Sequence, residues 1–302
     1  GAEESWSLNK ADMMTHLTVY STIVATVLGV VSVGGSASDA VLWARLNAEQ
    51  ATIAGSLSAR KLQELAKKEK EKRDNLQLVV KLIMAPHKGI LAMDESDQHL
   101  TERLVRSGIA GGEQQRKAYR ELMLTMPDLN RYISGVILSG TNYKQKVKHG
   151  QTLAEYLTNH NIVPGLKVDQ GLAELAETGE SYTIGKKGLY DRVRAAYSDG
   201  FRFVKWRAKF QIQKNEPSFI AVEKNAELLA DFAKECQLAG VVPIVESDIL
   251  WDGDYTIEES AAAPDRVLTT IFTKLEQRRI DLAGCILKTN MVLSGKTCAK
   301  QA

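Results

Sequence analysis

Cysteine is scarce in this chain and scattered: Cys236, Cys285 and Cys298 are odd in number and form no CxxC pair. That excludes a disulfide framework or a zinc ribbon and suits a reducing compartment such as stroma, matrix or cytosol. Histidine is sparse too. His16, His87, His99, His149 and His160 never fall at metal-ligand spacings such as HxH or HExxH, so neither a metal nor another cofactor is expected. An excess of one charge is also missing. A formal net charge of +2 falls short of the concentrated basic surface that phosphate backbones demand, so no nucleic-acid partner is expected. What is present is globular material: 302 residues at 44% hydrophobic and 25% charged suffice for one large domain or two smaller ones.

Residues 13–35, MMTHLTVYSTIVATVLGVVSVGG, contain no Asp, Glu, Lys or Arg. At a rise of about 1.5 Å per residue a helix of that length crosses a bilayer core, and a transmembrane helix is the leading expectation. A buried helix or strand pair is the alternative, since threonine and serine make the run only moderately apolar. Glu3 and Glu4 ahead of it, in an exposed segment 1–12, argue against a cleaved signal peptide. Gly1 stands where Met would begin a chain, and a targeting segment either removed or lying outside the sequence is expected. Ser21, Ala25 and Gly29 would align small residues on one helix face, a spacing that chance also produces.

Residues 36–75 read as a charged helical spacer, with Glu64/Lys68 and Glu69/Arg73 at favourable spacing. Its basic excess, Arg60, Lys61, Lys67, Lys68, Lys70, Lys72 and Arg73, predicts that everything downstream lies on the stromal, matrix or cytosolic side. Attraction of that basic face to anionic lipid is an alternative to a solvated spacer.

Over 76–302 the texture changes. Short apolar runs, GILAMD (89–94), ISGVIL (133–138), IVPGLKVD (162–169), FRFVKWR (201–207), VVPIVE (241–246) and GCILKTN (284–290), alternate with amphipathic stretches such as 217–239. That alternation predicts parallel β/α units. Several runs close on a charged residue, Asp94, Asp169, Lys205, Glu246 or Lys288, which is where a (β/α)8 barrel keeps its active site.

The segments GILAMDES (89–96), PGLKVDQGL (164–172), FVKWR (203–207), VPIVE (242–246) and ILKTNMV (286–292) resemble, in order and spacing, the signatures of class I fructose-bisphosphate aldolases over roughly residues 76–300. The GILAMDES and NIVPGLKVD wording is most similar to the plastid branch. The resemblance implies a TIM (β/α)8-type barrel. It places Lys288 at the Schiff-base position, with Lys205 as a neighbouring cation that would lower its pKa. It makes Glu246 the acid/base of imine formation and Asp94 the carboxylate beside the breaking carbon–carbon bond. Lys167 and Arg103 match basic residues near the sugar phosphate, and Trp206, Arg207 and Asp248 belong to the substrate-binding set. The implied reaction cleaves fructose 1,6-bisphosphate to dihydroxyacetone phosphate and glyceraldehyde 3-phosphate without metal.

Departures from the family pattern shape the remaining expectations. The sequence ends at Ala302, soon after Lys288, so six of the eight β/α units are expected, with an open edge needing cover by another chain or by further residues. Asp248 replaces a glutamate and Ser247 a proline; a carboxylate drawn back by about 1 Å can cost on the order of a hundredfold in rate. SGTNYKQ (139–145) replaces an acidic loop, and His99 and Glu102 replace serine and lysine beside the phosphate region. The leading functional expectation is therefore a membrane-anchored, structural accessory subunit of a membrane complex. A thylakoid photosystem comes first, with the barrel on the stromal side, and a mitochondrial inner-membrane assembly second. The alternatives are an active membrane-tethered aldolase and a sugar-phosphate sensor without turnover.

Overall fold

The computed structural model describes residues 59–147, 150–212 and 217–301, and the chain divides into two units, 1–66 and 67–302. The expected membrane helix at 13–35, the segment 1–12 and most of the 36–75 spacer lie outside the described residues. Among the described residues no helix is long and apolar enough to cross a membrane.

The helices are α1 (Ala59–Ile83), α2 (Asp97–Arg106), α3 (Glu113–Leu124), α4 (Leu129–Tyr132), α5 (Leu153–Asn159), α6 (Leu189–Ser198), α7 (Phe219–Ala239) and α8 (Ile257–Gln277). The strands are β1 (Gly89–Met93), β2 (Ile133–Leu138), β3 (Val163–Lys167), β4 (Leu172–Glu174), β5 (Ser181–Thr183), β6 (Phe203–Gln211), β7 (Val242–Leu250) and β8 (Ile286–Thr289). The six expected strand runs form one curled sheet in the order β1-β2-β3-β6-β7-β8, every neighbouring pair parallel. Helices supply the crossovers that parallel pairing requires, and the architecture is of the TIM-barrel type. A hairpin of β4 and β5 follows β3.

Local signals mark the helix ends. Ser96 and Ser218 accept from the backbone N–H of His99 and Ala221 to start α2 and α7. Thr152/Glu155 and Thr256/Glu259 form capping boxes at α5 and α8, each such cap contributing about 1 kcal/mol. Helix α1 runs through the expected spacer–barrel boundary at 75–76. Its charged part carries exposed ion pairs, Lys70–Asp74 at 3.4 Å among them, each worth about 0.5 kcal/mol or less. Its last turns bury Leu76 and Ile83 with Ile137, Phe203, Ile244 and Ile286.

Alternation along the strands explains that cluster. Side chains two residues apart share a sheet face, so one face carries Ile90, Ile137, Val163, Phe203, Ile244 and Ile286 low on the strands. The same parity reaches Asp94, Lys167, Lys205, Glu246 and Lys288 farther along, although β6 and β7 run on past Lys205 and Glu246 to Gln211 and Leu250, so these two do not close their strands as the sequence runs suggested. The opposite face packs Val204, Trp206, Ala208 and Val245 into the main core with α7 and α8.

Gly165 belongs to the inner row, and a Cβ there would lie 2.1 Å from the Phe203 ring. Gly165→Ala is expected to destabilise the fold by about 1–3 kcal/mol through overpacking. Chemical denaturation measures it, and a Gly165→Ala/Phe203→Leu double variant should lose less than the sum of the singles.

Candidate active site

Four charged side chains, one just past β1 and one each from β6, β7 and β8, meet in one chain of contacts. Lys205 Nζ lies 2.6 Å from Asp94 Oδ2 and 3.0 Å from Glu246 Oε2, and Lys288 Nζ donates to Glu246 Oε1 at 2.5 Å. The β7–β8 register sets Glu246 directly opposite Lys288, so pairing alone brings them together. Lys205, Asp94 and Glu246 are buried, whereas the Lys288 side chain is 43% exposed and open to a small molecule. Burial alone would lower the pKa of Lys205, but the carboxylates of Asp94 and Glu246 outweigh it and raise the value above its ordinary 10.5. Lys205 is therefore a fixed ammonium holding two buried carboxylates. Lys288 and Lys205 contact the two oxygens of the one Glu246 carboxylate, which stands between them.

Supporting groups hold these positions. Asn142 donates to the Met93 carbonyl at 3.1 Å and accepts from Ser139 N–H at 2.8 Å, so the loop that replaces the family's acidic one ties the end of β2 to the residue before Asp94. Thr183 of β5 donates to the Arg207 carbonyl at 2.6 Å, bracing β6.

The substrate-binding candidates are placed less uniformly. Arg207 makes a two-pronged contact with Asp248, its Nε at 2.6 Å and its Nη2 closer still. Lys167 pairs with Asp169 at 2.5 Å. Arg103, on α2, pairs with Glu95 at 2.7 Å and with Tyr119, outside the Lys205 contact chain; the Glu95 bond, then Tyr119, raise its pKa further above the usual range. Trp206 is buried on the other face of β6, its ring 5.6 Å from that of Phe232. Asn290 escaped the sequence reading, although parity with Lys288 was a usable signal, and Asp169 was read there as a charge closing its run but was given no role. Asp169 also accepts from Gly171 N–H.

No described group of His, Cys, Asp and Glu could hold a metal ion. Burial pushes the Cys285 thiol up to about 12 and that of Cys236 well above its ordinary value, so neither is a nucleophile. A cavity of about 1060 Å³ opens at the N-terminal ends of β2 and β3, lined by Lys88, Ser134, Pro164 and Arg202, at the opposite end of these strands from Lys205.

A family model described as fructose-bisphosphate aldolase class-I matches residues 75–302. The chain belongs to the class I fructose-bisphosphate aldolase family. A probable fructose-bisphosphate aldolase class 1 of Xanthomonas axonopodis pv. citri is 44% identical over 221 residues, covering 73% of this chain and 66% of that protein. The cytosolic fructose-bisphosphate aldolase 4 of Arabidopsis thaliana is 44% identical over 214 residues, covering 70% of this chain and 54% of its own length. A crystal structure of the Plasmodium falciparum aldolase, in complex with TRAP and a small-molecule inhibitor, superposes with a TM-score of 0.74 at 35% identity, covering 77% of this chain and 68% of that one. The chain spans two-thirds or less of these two relatives' lengths, 66% and 54%.

These aldolases overturn the leading expectation of a non-catalytic photosystem subunit. The relatives are named as aldolases, and the solved structure that superposes is an aldolase too. Nor do these bacterial and cytosolic plant relatives single out the plastid branch.

Proposed function

We propose that this chain carries the imine-forming centre of a class I aldolase acting on fructose 1,6-bisphosphate. The observation that carries the reading is the contact between Lys288 Nζ and Glu246 Oε1 at 2.5 Å, with Glu246 backed by Lys205 and Lys205 by Asp94. Glu246 takes a proton from the Lys288 ammonium, and the neutral amine adds to the substrate ketone to give a carbinolamine. A proton returned through Glu246 lets the hydroxyl leave as water, forming the iminium. That cation accepts the electron pair of the adjacent carbon–carbon bond as Asp94 removes the hydroxyl proton of the departing aldehyde. Protonation of the enamine and hydrolysis then release dihydroxyacetone phosphate and restore the amine. Lys205, in contact with both carboxylates, holds them in place. Deprotonation of Lys288 falls to Glu246 directly.

Asp248 is short by a methylene yet is engaged by Arg207 and Asn290, which favours turnover over a vestigial site. Borohydride reduction of the full chain in the presence of dihydroxyacetone phosphate, followed by peptide mass spectrometry, tests the reading. An adduct on Lys288 supports it, and no adduct beside a labelled conventional aldolase rejects it.

We further propose that residues 13–35 tether this activity to a membrane, supported by the lack of any Asp, Glu, Lys or Arg over that length. Deleting them is expected to move the protein from an alkali-resistant membrane fraction to the soluble one. Unchanged partitioning would reject the tether.

A further inference from the structure

Strand β8 carries Lys288 but is short, Ile286–Thr289, and among the described residues it pairs on one side only, with β7. Its backbone register ends with Ser247 opposite Thr289, one residue past Lys288. The chain does not come loose there. Ser247, fully buried, donates through its hydroxyl to Thr289 Oγ1 at 3.2 Å. Asn290 then uses both ends of its amide: Oδ1 accepts from Ile249 N–H at 2.6 Å and Nδ2 donates to Asp248 Oδ1 at 3.0 Å. Asp248 Oδ2 in turn takes the Arg207 guanidinium. Side chains thus continue the strand pairing where backbone bonds stop, and one line of contacts runs across β6, β7 and β8.

We propose that Asn290 is a positioning residue for Lys288. Residues 288 and 290 share a strand face, and the Asn290 amide ties the exit of β8 to β7 at two points. With that exit fixed, the flexible lysine stem has one anchored Cα from which to reach Glu246. Without it, the end of a short strand frays, and Lys288 samples positions away from the carboxylate. The Ser247–Thr289 hydroxyl bond is a weaker second link on the opposite face. The inference rests on the imine chemistry proposed above.

Two variants of the full chain separate its parts. Asn290→Ala removes both contacts, whereas Asn290→Asp keeps the acceptor for Ile249 N–H and loses the donor to Asp248. Reductive trapping with saturating dihydroxyacetone phosphate is expected to slow on the order of ten- to a hundredfold in Asn290→Ala, and by no less in Asn290→Asp, whose new carboxylate is set against that of Asp248. Half-saturating ketone concentration and denaturation midpoint should stay near the parent's. A second readout needs no substrate: reductive methylation by formaldehyde and cyanoborohydride, with Lys288 compared with exposed Lys67 by mass spectrometry. Release from Glu246 is expected to raise the relative labelling of Lys288 in Asn290→Ala. Parent-like trapping and labelling in both variants overturn the inference, as does slowing that follows the denaturation midpoint alone. If the parent itself forms no ketone adduct, the functional reading fails; labelling then decides the positioning role by itself, a rise supporting it and no change overturning it.

Discussion

Lys288→Ala is expected to eliminate the borohydride-stable adduct and to lower any cleavage of fructose 1,6-bisphosphate on the order of ten-thousandfold or more, because the atom that bonds to the substrate is gone. The effect on folding should be small. Lys288 is 43% exposed, and Glu246 keeps its contact with Lys205 when the Lys288 amine is removed; a half-exposed ion pair of this kind contributes about 1 kcal/mol or less. Lys288→Arg completes the test, since it retains the charge beside Glu246 yet forms no stable imine. Equal loss of adduct in both variants, with unfolding midpoints near the parent's, assigns the chemistry to the amine itself. An adduct that persists at another lysine, Lys205 or Lys167, would reassign the nucleophile.

Lys205→Met should have the largest effect on stability. Lys205 is 4% exposed and is the shared partner of two nearly buried carboxylates, Asp94 and Glu246. Methionine preserves most of the volume and leaves that pair of negative charges without their shared cation, a change that typically costs about 3–5 kcal/mol. Denaturant unfolding of parent and variant measures it, and a loss below about 1 kcal/mol would show that the carboxylates are not held as the geometry indicates. The pH dependence carries its own sign. The folded pKa of Lys205 is raised above 10.5, so the stabilisation is fully present below that value and fades as pH rises through the raised one. The gap between parent and variant should therefore be level at neutral pH and narrow in strong alkali.

Much of the fold was legible. The six apolar runs became the six sheet strands, because an apolar run bounded by helical stretches has few places to go other than a buried parallel sheet. Capping residues such as Thr152 and Thr256 mark helix starts through bonds to residues three positions on. Asp94, Lys205, Glu246 and Lys288 were legible as a group from motif and strand-end position, and the structure brings them into one contact chain.

Trp206 illustrates what motif reading misses. It stands beside Lys205 in FVKWR, yet adjacent strand residues point to opposite faces, and Trp206 packs on Phe232. Parity with Lys288 would also have drawn attention to Asn290. The expected photosystem role came from weighing the N-terminal run and the family departures above the retained charges, and the likeness to aldolases overturned it.

By itself the sequence determined the β/α order, the family and the charged residues that the strands carry, since these depend on local periodicity and on motifs that survive as strings. Only the tertiary structure decided that Glu246 stands between two lysines, that Arg207 is held by Asp248 and that Asn290 secures the strand bearing Lys288. Those facts depend on strand register and on side-chain directions between residues distant in the chain, and packing sets both.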